Sequence, residues 1–193
     1  MYILCDTSCI LMLIRIAPYM FIDEHYRCCT IIPVRNEIFR TQKFKTKYPW
    51  RIQCKDKIQC LPNDLVNNDN VQRYFDAIDS LVDHGTINEK AGLEFDLGYV
   101  DKMILSCALA NGFKITTGDD DIKDFAVQEF GADFRGWISP IGMINGWVRN
   151  GLIEWNDSLH AYLSVWKRDN EHPQPQRQKT AFKKLTGRRY PGS

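Results

Sequence analysis

Four acidic residues that are far apart along the chain could form one catalytic cluster: Asp6, Glu37, Asp101 and Asp119. Asp6 directly follows the apolar run 2–5, and Asp119 follows the β-branched run 113–117. In an open parallel sheet the carboxyl ends of the strands share one edge, and sites form at that edge. Glu37 and Asp101 lie in predicted helices that begin close to the same edge. We therefore expect the four carboxylates to face one end of the sheet.

Carboxylates that are held close together repel each other unless protons or cations relieve the repulsion. Mg²⁺ and Mn²⁺ are hard ions that prefer oxygen ligands. Such ions neutralise a phosphodiester and lower the pKa of an attacking water. Ser8 and Ser106 have no histidine nearby in the sequence, which disfavours a serine nucleophile. The pattern therefore favours metal-dependent phosphodiester hydrolysis over acyl transfer.

The elements that must position these acids alternate between strands and helices, which predicts an α/β fold with a mainly parallel sheet. We expect strands at 2–5, 28–32, 113–117 and 137–138 and helices at 9–16, 34–41, 71–82, 99–111, 122–130 and 141–151. The stretch from about 43 to 67 is irregular and is predicted to be an insert. Within it, the runs 50–54 and 57–60 could form a hairpin.

Four segments together carry a resemblance to a known family, in the order 2–8, 31–38, 100–109 and 115–122. They read YILCDTS, IIPVRNEI, VDKMILSCAL and ITTGDDDI. With these segments the sequence resembles the PIN-domain nucleases, the fold of the VapC-type toxins, over roughly residues 1–150. The resemblance implies a three-layer α/β/α domain.

By this resemblance, Asp6, Glu37, Asp101 and Asp119 are the catalytic, metal-binding acids. Glu37 would hold a second ion or orient the attacking water. Thr7 and Thr117 match hydroxyl positions beside the metal, and Asp121 matches an auxiliary acid. The implied activity is endonucleolytic RNA cleavage with Mg²⁺ or Mn²⁺, leaving 5′-phosphate and 3′-hydroxyl ends.

The biological role stays open at this point. The chain could be the toxin of a toxin–antitoxin pair, with an antitoxin or another protein as partner, and it could form a homodimer. The insert at 43–67 and the basic tail depart from the family pattern. Two alternatives remain: a catalytically idle PIN-like module that binds RNA or protein, and a PIN nuclease in phage defence or nucleic-acid repair.

Each acid also has an ordinary structural interpretation. Asp6 could only cap a helix, and Asp101 could only complement a helix dipole. The run 119–121 could be an acidic turn, and Glu37 a solvated side chain. Glu94 and Asp96 could replace Asp101 or lie on the same rim.

The C-terminal segment 167–193 is strongly basic. It holds eight Lys or Arg against two acids, a net +6, whereas the whole chain carries +1. We expect a PIN-like domain at 1–160 and a basic, partly flexible extension at 161–193. The extension could be a solvated arm, dock a protein, or contact RNA phosphates. The candidate RNA contacts are Lys179, Lys183, Lys184, Arg188 and Arg189, with Phe182 and Tyr190 able to stack on bases.

Seven cysteines, an odd number, stand mostly in apolar surroundings. We expect reduced, buried thiols in a cytoplasmic protein. A small zinc site using Cys54 and Cys60 is the alternative, although no second matching pair accompanies them. The sequence has no apolar run of about 18 residues, so we expect no membrane span. The N-terminal stretch lacks the basic start and cleavage site of a signal peptide.

Overall fold

A parallel four-stranded sheet lies at the centre of the computed structural model, which describes residues 1–168 and 174–192. The strands are β1 (Ile3–Cys5), β2 (Cys28–Cys29), β3 (Lys114–Thr116) and β4 (Trp137–Ile138). Their order across the sheet is β2-β1-β3-β4, and every pairing is parallel. The predicted α/β class with a parallel sheet is confirmed.

Helices connect the strands and follow the last one. In chain order they are α1 (Thr7–Leu13), α2 (Ile32–Arg40), α3 (Gln42–Lys47), α4 (Asn63–Val66), α5 (Asp69–Asp83), α6 (Tyr99–Asn111), α7 (Asp120–Phe130), α8 (Pro140–Arg149), α9 (Asp157–Arg168) and α10 (Gln176–Thr186). Short 3₁₀ helices span Glu24–Tyr26 and Pro49–Lys57.

The strand order places helices on both faces of the sheet. The connection from β1 to β2 and the connection from β2 to β3 run in opposite directions across the sheet. Because parallel crossovers are right-handed, α1 and the pair α5–α6 then cover opposite faces. Helix α8 contacts α1, and α7 contacts α6. This arrangement is compatible with a three-layer α/β/α architecture.

The strands are short, and the inner strands β1 and β3 are largely buried, as expected for a sheet that is covered on both faces. Leu4, Ile115 and the α7 residue Phe125 are 1% exposed or less. Helix α6 packs against the sheet through Ile104 and Leu105, and Gly112 ends this helix in the left-handed conformation. Glycine is favoured there because it has no Cβ to clash. The core thus fixes the strand ends that carry the acids.

Two sequence predictions about local structure are wrong. The proposed hairpin at 50–54 and 57–60 is absent, because Pro49–Lys57 forms a 3₁₀ helix. The guanidinium of Arg51 is buried there and donates to the carbonyls of Ile38 and Tyr48. The predicted strand 28–32 is also too long. Strand β2 ends at Cys29, and Pro33 lies in the first turn of α2, where its missing N–H has no helical partner to lose.

The described chain beyond residue 150 contains the two helices α9 and α10, with non-helical segments before and after them. Helix α9 buries Leu159, Leu163 and Trp166, and α10 buries Phe182. The expected boundary between a domain at 1–160 and an extension at 161–193 therefore falls inside α9. Residues 169–173 and 193, which belong to that expected extension, lie outside the described part.

Within residues 1–168 and 174–192, none of the helices combines the length and the apolar character that a membrane span requires.

Candidate active site

Asp6 lies directly after β1 and caps the N-terminus of α1. One carboxylate oxygen accepts hydrogen bonds from the backbone N–H of Cys9 at 2.7 Å and from the hydroxyl of Ser8 at 3.1 Å. The side chain is 8% exposed. Burial raises the pKa of Asp6, and the hydrogen bonds from Thr117, Cys9 and Ser8 partly oppose this effect. These contacts hold the carboxylate in place, but they do not fully offset the effect of burial on its pKa.

Asp119 has the corresponding position after β3. It caps α7, accepting a hydrogen bond from the backbone N–H of Asp121 at 2.8 Å. Its own N–H donates to the hydroxyl of Thr117 at 2.9 Å. Cys5 and Thr116 are register partners in the adjacent parallel strands β1 and β3. The residues that follow them, Asp6 and Thr117, therefore leave the sheet side by side.

Asp101 lies in the first turn of α6, where its carboxylate accepts a hydrogen bond from the N–H of Gly98 at 3.3 Å. Its pKa is raised to about 6, mainly by burial and then by the negative charges of Asp119, Asp6 and Glu37 in that order. A carboxylate feels another charge strongly only over a few ångströms. The structure therefore brings the four acids into one electrostatic cluster.

Glu37 reaches the cluster from the middle of α2. Its carboxylate accepts a hydrogen bond from the hydroxyl of Thr7, the first residue of α1. This contact joins two helices that start at the same edge of the sheet. Thr7, like Thr117, is almost completely buried.

The neighbouring acids differ in their surroundings. The carboxylate of Asp121 accepts a hydrogen bond from the N–H of Asp96 at 3.4 Å. Asp120 points outward, with 85% of its side chain exposed, and pairs with Lys123. Asp121 is therefore at the rim of the acidic cluster, whereas Asp120 is outside it. Among the described residues, none of the four cluster acids forms an ion pair with Lys, Arg or His.

The oxygen atoms of this site are chemically suited to a hard divalent cation, but their positions are not those of a formed metal site. Carboxylates and threonine hydroxyls offer only oxygen ligands, which Mg²⁺ and Mn²⁺ prefer. In residues 1–168 and 174–192, however, no three Asp, Glu, His or Cys side chains are placed so that they could hold one ion. The carboxylates of Asp6, Asp101 and Asp119 instead accept backbone N–H groups at helix starts. Rotation of these side chains toward each other is needed before they could share an ion.

Ser8 is a contributor that the sequence did not point to as part of this site. It was considered as a nucleophile, but its hydroxyl donates to both oxygens of Asp6, at 3.1 and 3.2 Å. Its position two residues after a helix-capping aspartate is the feature that could have indicated this contact. Ser8 therefore helps to orient the carboxylate of Asp6.

The cations of the C-terminal segment lie on another element. Helix α10 begins beside α8, because Gln174 accepts the N–H of Ile141 at 3.0 Å and Asn145 donates to Gln178 at 2.9 Å. Helix α8 directly follows β4, so α10 starts at the same sheet edge as the acids. Its basic residues are exposed or half-buried: Lys179, Lys183, Lys184, and beyond the helix Arg188 and Arg189.

The expectation that Phe182 and Tyr190 could stack on bases is wrong. Phe182 is 0% exposed and Tyr190 is 3% exposed. The ring of Phe182 lies between those of Trp155 and Tyr190, with centroid distances of 5.0 and 5.7 Å. Both rings anchor the segment to the domain and are not accessible to a nucleic acid.

The cysteines are free thiols, and five of the seven are buried. Burial raises the pKa of Cys54 and of Cys60, both of which are half-buried. Neither belongs to a group of potential metal ligands within the described part of the chain.

No protein-family model matches the chain, and no curated protein or solved structure matches it significantly.

Proposed function

We propose that this chain is a divalent-metal-dependent endoribonuclease with a PIN-like, three-layer α/β/α fold. The observation that carries the proposal is the convergence of Asp6, Glu37 and Asp119 on Asp101, whose pKa is raised to about 6. Such a strong perturbation at a cluster of like charges is characteristic of functional sites. The acids come from four different elements, so their meeting at one sheet edge is a property of the fold.

The four carboxylates are the groups that would hold the ion. A bound Mg²⁺ or Mn²⁺ would neutralise charge on the phosphodiester and lower the pKa of the attacking water. Asp6, Asp101 and Asp119 would be ligands, because they follow strand ends or begin helices at one edge. Glu37 would bind a second ion or orient the water.

The remaining residues of the site hold the acids in place. Ser8 and the backbone N–H of Cys9 fix Asp6, and Thr117 links the end of β3 to both Asp6 and Asp119. Thr7 holds Glu37 until substrate or metal competes for its carboxylate. Asp121 would assist from the rim. Most of these contacts come from short local turns, which favours small side-chain rotations over larger backbone movements.

RNA is the substrate that best fits the rest of the molecule. The described segment 174–192 has six Lys or Arg and no acid. Since α10 begins at the same edge of the sheet as the acids, its cations could contact the backbone of a bound strand. A toxin role with an antitoxin partner, and a role in defence or repair, both remain compatible with this chemistry.

The Asp6→Asn variant tests the assignment. Asparagine caps helices as well as aspartate does, so α1 should be retained while a charged ligand is lost. We expect cleavage of total RNA by the wild-type protein with Mn²⁺, none with EDTA, and a loss of at least roughly 100-fold in the variant. End mapping should find 5′-phosphates.

Asp120→Asn is the matched control, because it removes an exposed carboxylate next to Asp119. It should cleave RNA at the wild-type rate. Metal-dependent cleavage that persists unchanged in Asp6→Asn would contradict the assignment of the site. No cleavage by the wild-type protein with either metal would contradict the proposed activity.

A second candidate is a catalytically idle module that binds RNA. The observation that favours it is the absence, among the described residues, of any three side chains already placed around one ion. An idle module would bind RNA equally well with Mn²⁺ and with EDTA and would leave it intact. The same cleavage assay, run beside a binding measurement, separates the two functions.

A further inference from the structure

A groove on the outer side of α1 combines cations with aromatic rings. It is lined by Arg15 just after α1, by Lys47, Tyr48 and Trp50 from the insert, and by Tyr162, Val165, Trp166 and Arg168 from α9, over a floor of Leu11 and Met12. Its volume is about 320 Å³, in the range of small-ligand clefts. No acidic residue lines it among the described part of the chain.

Arg15 is held between two rings of this groove. Its guanidinium carbon lies 4.5 Å from the ring centroid of Tyr162 and 5.0 Å from that of Trp50. These cation–π contacts orient the guanidinium plane without using its N–H groups. Within residues 1–168 and 174–192 its side chain forms no hydrogen bond and no ion pair. An oriented guanidinium with free donors is a typical receptor for a phosphate.

We propose that this groove binds a backbone phosphate of single-stranded RNA, at a distance from the acidic cluster. This inference rests on the proposed function. Arg15 lies nine residues beyond Asp6 and just after α1, whose 7 residues span about 10 Å at 1.5 Å per residue. A strand that reaches both places would be cut a few nucleotides from the held phosphate. The groove is built from α1, the insert and α9, so it would be a substrate contact outside the sheet edge that carries the acids.

The fit to phosphate rests on charge and geometry together. Arg15 supplies the guanidinium for this fit, whereas Lys47 and Arg168 line the same groove and each has a partner of its own. Tyr48 and Trp166 are less than 9% exposed and form a rigid wall. Trp50 and Tyr162 are half-buried, so part of each ring is accessible. A sugar or base next to the phosphate could contact this apolar surface.

The test is RNA binding in EDTA, where cleavage cannot occur. The probe is a fluorescein-labelled single-stranded oligouridine, titrated by anisotropy across roughly 50–200 mM salt. Arg15→Gln should weaken binding roughly three- to tenfold and reduce the slope of log K against log salt by about 0.7, one phosphate contact. Arg73→Gln is the matched control, since Arg73 is exposed on α5 and makes no ring contact. It should bind like the wild type.

Arg15→Met is a second variant in case Arg15→Gln does not fold, because methionine keeps an unbranched side chain beside the rings of Trp50 and Tyr162. It too should reduce the salt slope. Wild-type affinity and slope in both variants would overturn the proposal. A parallel arm measures the melting temperature with inorganic phosphate alone. Stabilisation by phosphate that Arg15→Gln abolishes, together with unchanged RNA binding, would mean that the groove takes free phosphate and would also overturn it.

The two proposals fail in different ways. If the wild type cleaves RNA and Arg15→Gln binds RNA normally, the groove proposal is wrong and the nuclease proposal stands. If Arg15→Gln binds RNA more weakly but the wild type does not cleave RNA, the groove proposal stands and the nuclease proposal is wrong.

Discussion

Burial and the neighbouring negative charges have a large effect on the pKa of Asp101. Its pKa is raised from an ordinary value of 3.8 to about 6, first by burial and then by three neighbouring carboxylates. Between about pH 4 and pH 6 the folded state therefore holds a proton that the unfolded state releases. The free energy of unfolding must fall as the pH rises through this window. Asp101 thus lowers the stability of the folded protein at neutral pH.

Asp101→Asn should stabilise the metal-free protein at neutral pH. Asparagine keeps the acceptor for the N–H of Gly98 but carries no charge. After a reduction for partial exposure, we expect a gain of roughly 1–2 kcal/mol at pH 7 that disappears near about pH 4. Urea unfolding in EDTA at both pH values measures it.

Asp96→Asn provides the comparison, since Asp96 is an exposed carboxylate five residues earlier. It should change the free energy of unfolding by less than about 0.5 kcal/mol at either pH. Equal stability of Asp101→Asn and wild type at pH 7 would show that the carboxylates do not repel each other as described.

Sequence patterns identified the acids but not all of their contacts. Asp6 and Asp119 could be placed because each follows a strand and precedes a helix, a local pattern. The hydrogen bond from Thr7 to Glu37 depends on how α1 packs against α2, which no local pattern encodes. Lys102 is next to Asp101 in the sequence, but its side chain points away from the site to Asp79 and Asp83 on α5. No local pattern encodes this direction either.

At the scale of elements, α5 and α6 form the most extensive helix pair of the molecule. Two kinds of contact join them. Ile78 of α5 and Ile104 of α6 are fully buried, whereas the buried Lys102 donates to the half-exposed Asp79 at 2.7 Å. Apolar burial and an ion pair are expected to contribute very differently to holding α6, and hence Asp101, in place.

Ile78→Ala should cost about 2–5 kcal/mol, because a fully buried side chain is replaced by a cavity. Lys102→Met should change the free energy of unfolding by no more than about 1 kcal/mol, since methionine fills the same space and the exposed partner acids remain solvated. Chemical denaturation of both variants gives the two values. A larger loss in Lys102→Met than in Ile78→Ala would mean that the ion pair, not apolar packing, holds the helices together.

The insert shows why some elements were not predictable. Residues 50–54 and 57–60 alternate in a way that is typical of strands, yet Pro49–Lys57 forms a 3₁₀ helix. The deciding contacts are tertiary, because buried Arg51 satisfies the carbonyl of Ile38 at the end of α2. Helix α9 was not predicted, although Leu159, Leu163 and Trp166 have helical spacing.

At the scale of the whole molecule, the C-terminal segment is packed against the domain. Helix α10 contacts α8, and Phe182 is enclosed by Trp155 and Tyr190. The basic composition of this segment suggested a flexible arm, because a charge pattern does not reveal that two aromatic rings face inward. The start of α10 therefore has a fixed position beside the sheet edge.

Phe182→Ala should lower the free energy of unfolding by about 3–5 kcal/mol in one cooperative transition, as for other fully buried phenylalanines. Lys184→Ala, two residues away and exposed, is the control and should have less than about 0.5 kcal/mol effect. Urea unfolding followed by tryptophan fluorescence measures both. A wild-type midpoint in Phe182→Ala would indicate that the segment does not contribute to the stability of the domain.

The buried thiols around β1 and β2 affect what happens to the chain when it unfolds. Burial raises the pKa of Cys5, Cys9, Cys29 and Cys107, so at neutral pH these sulfurs stay protonated and are poor nucleophiles. Opening of the sheet returns them to water and to ordinary acidity. Oxidation to disulfides can then trap the opened chain, so loss of structure becomes irreversible unless a reductant is present.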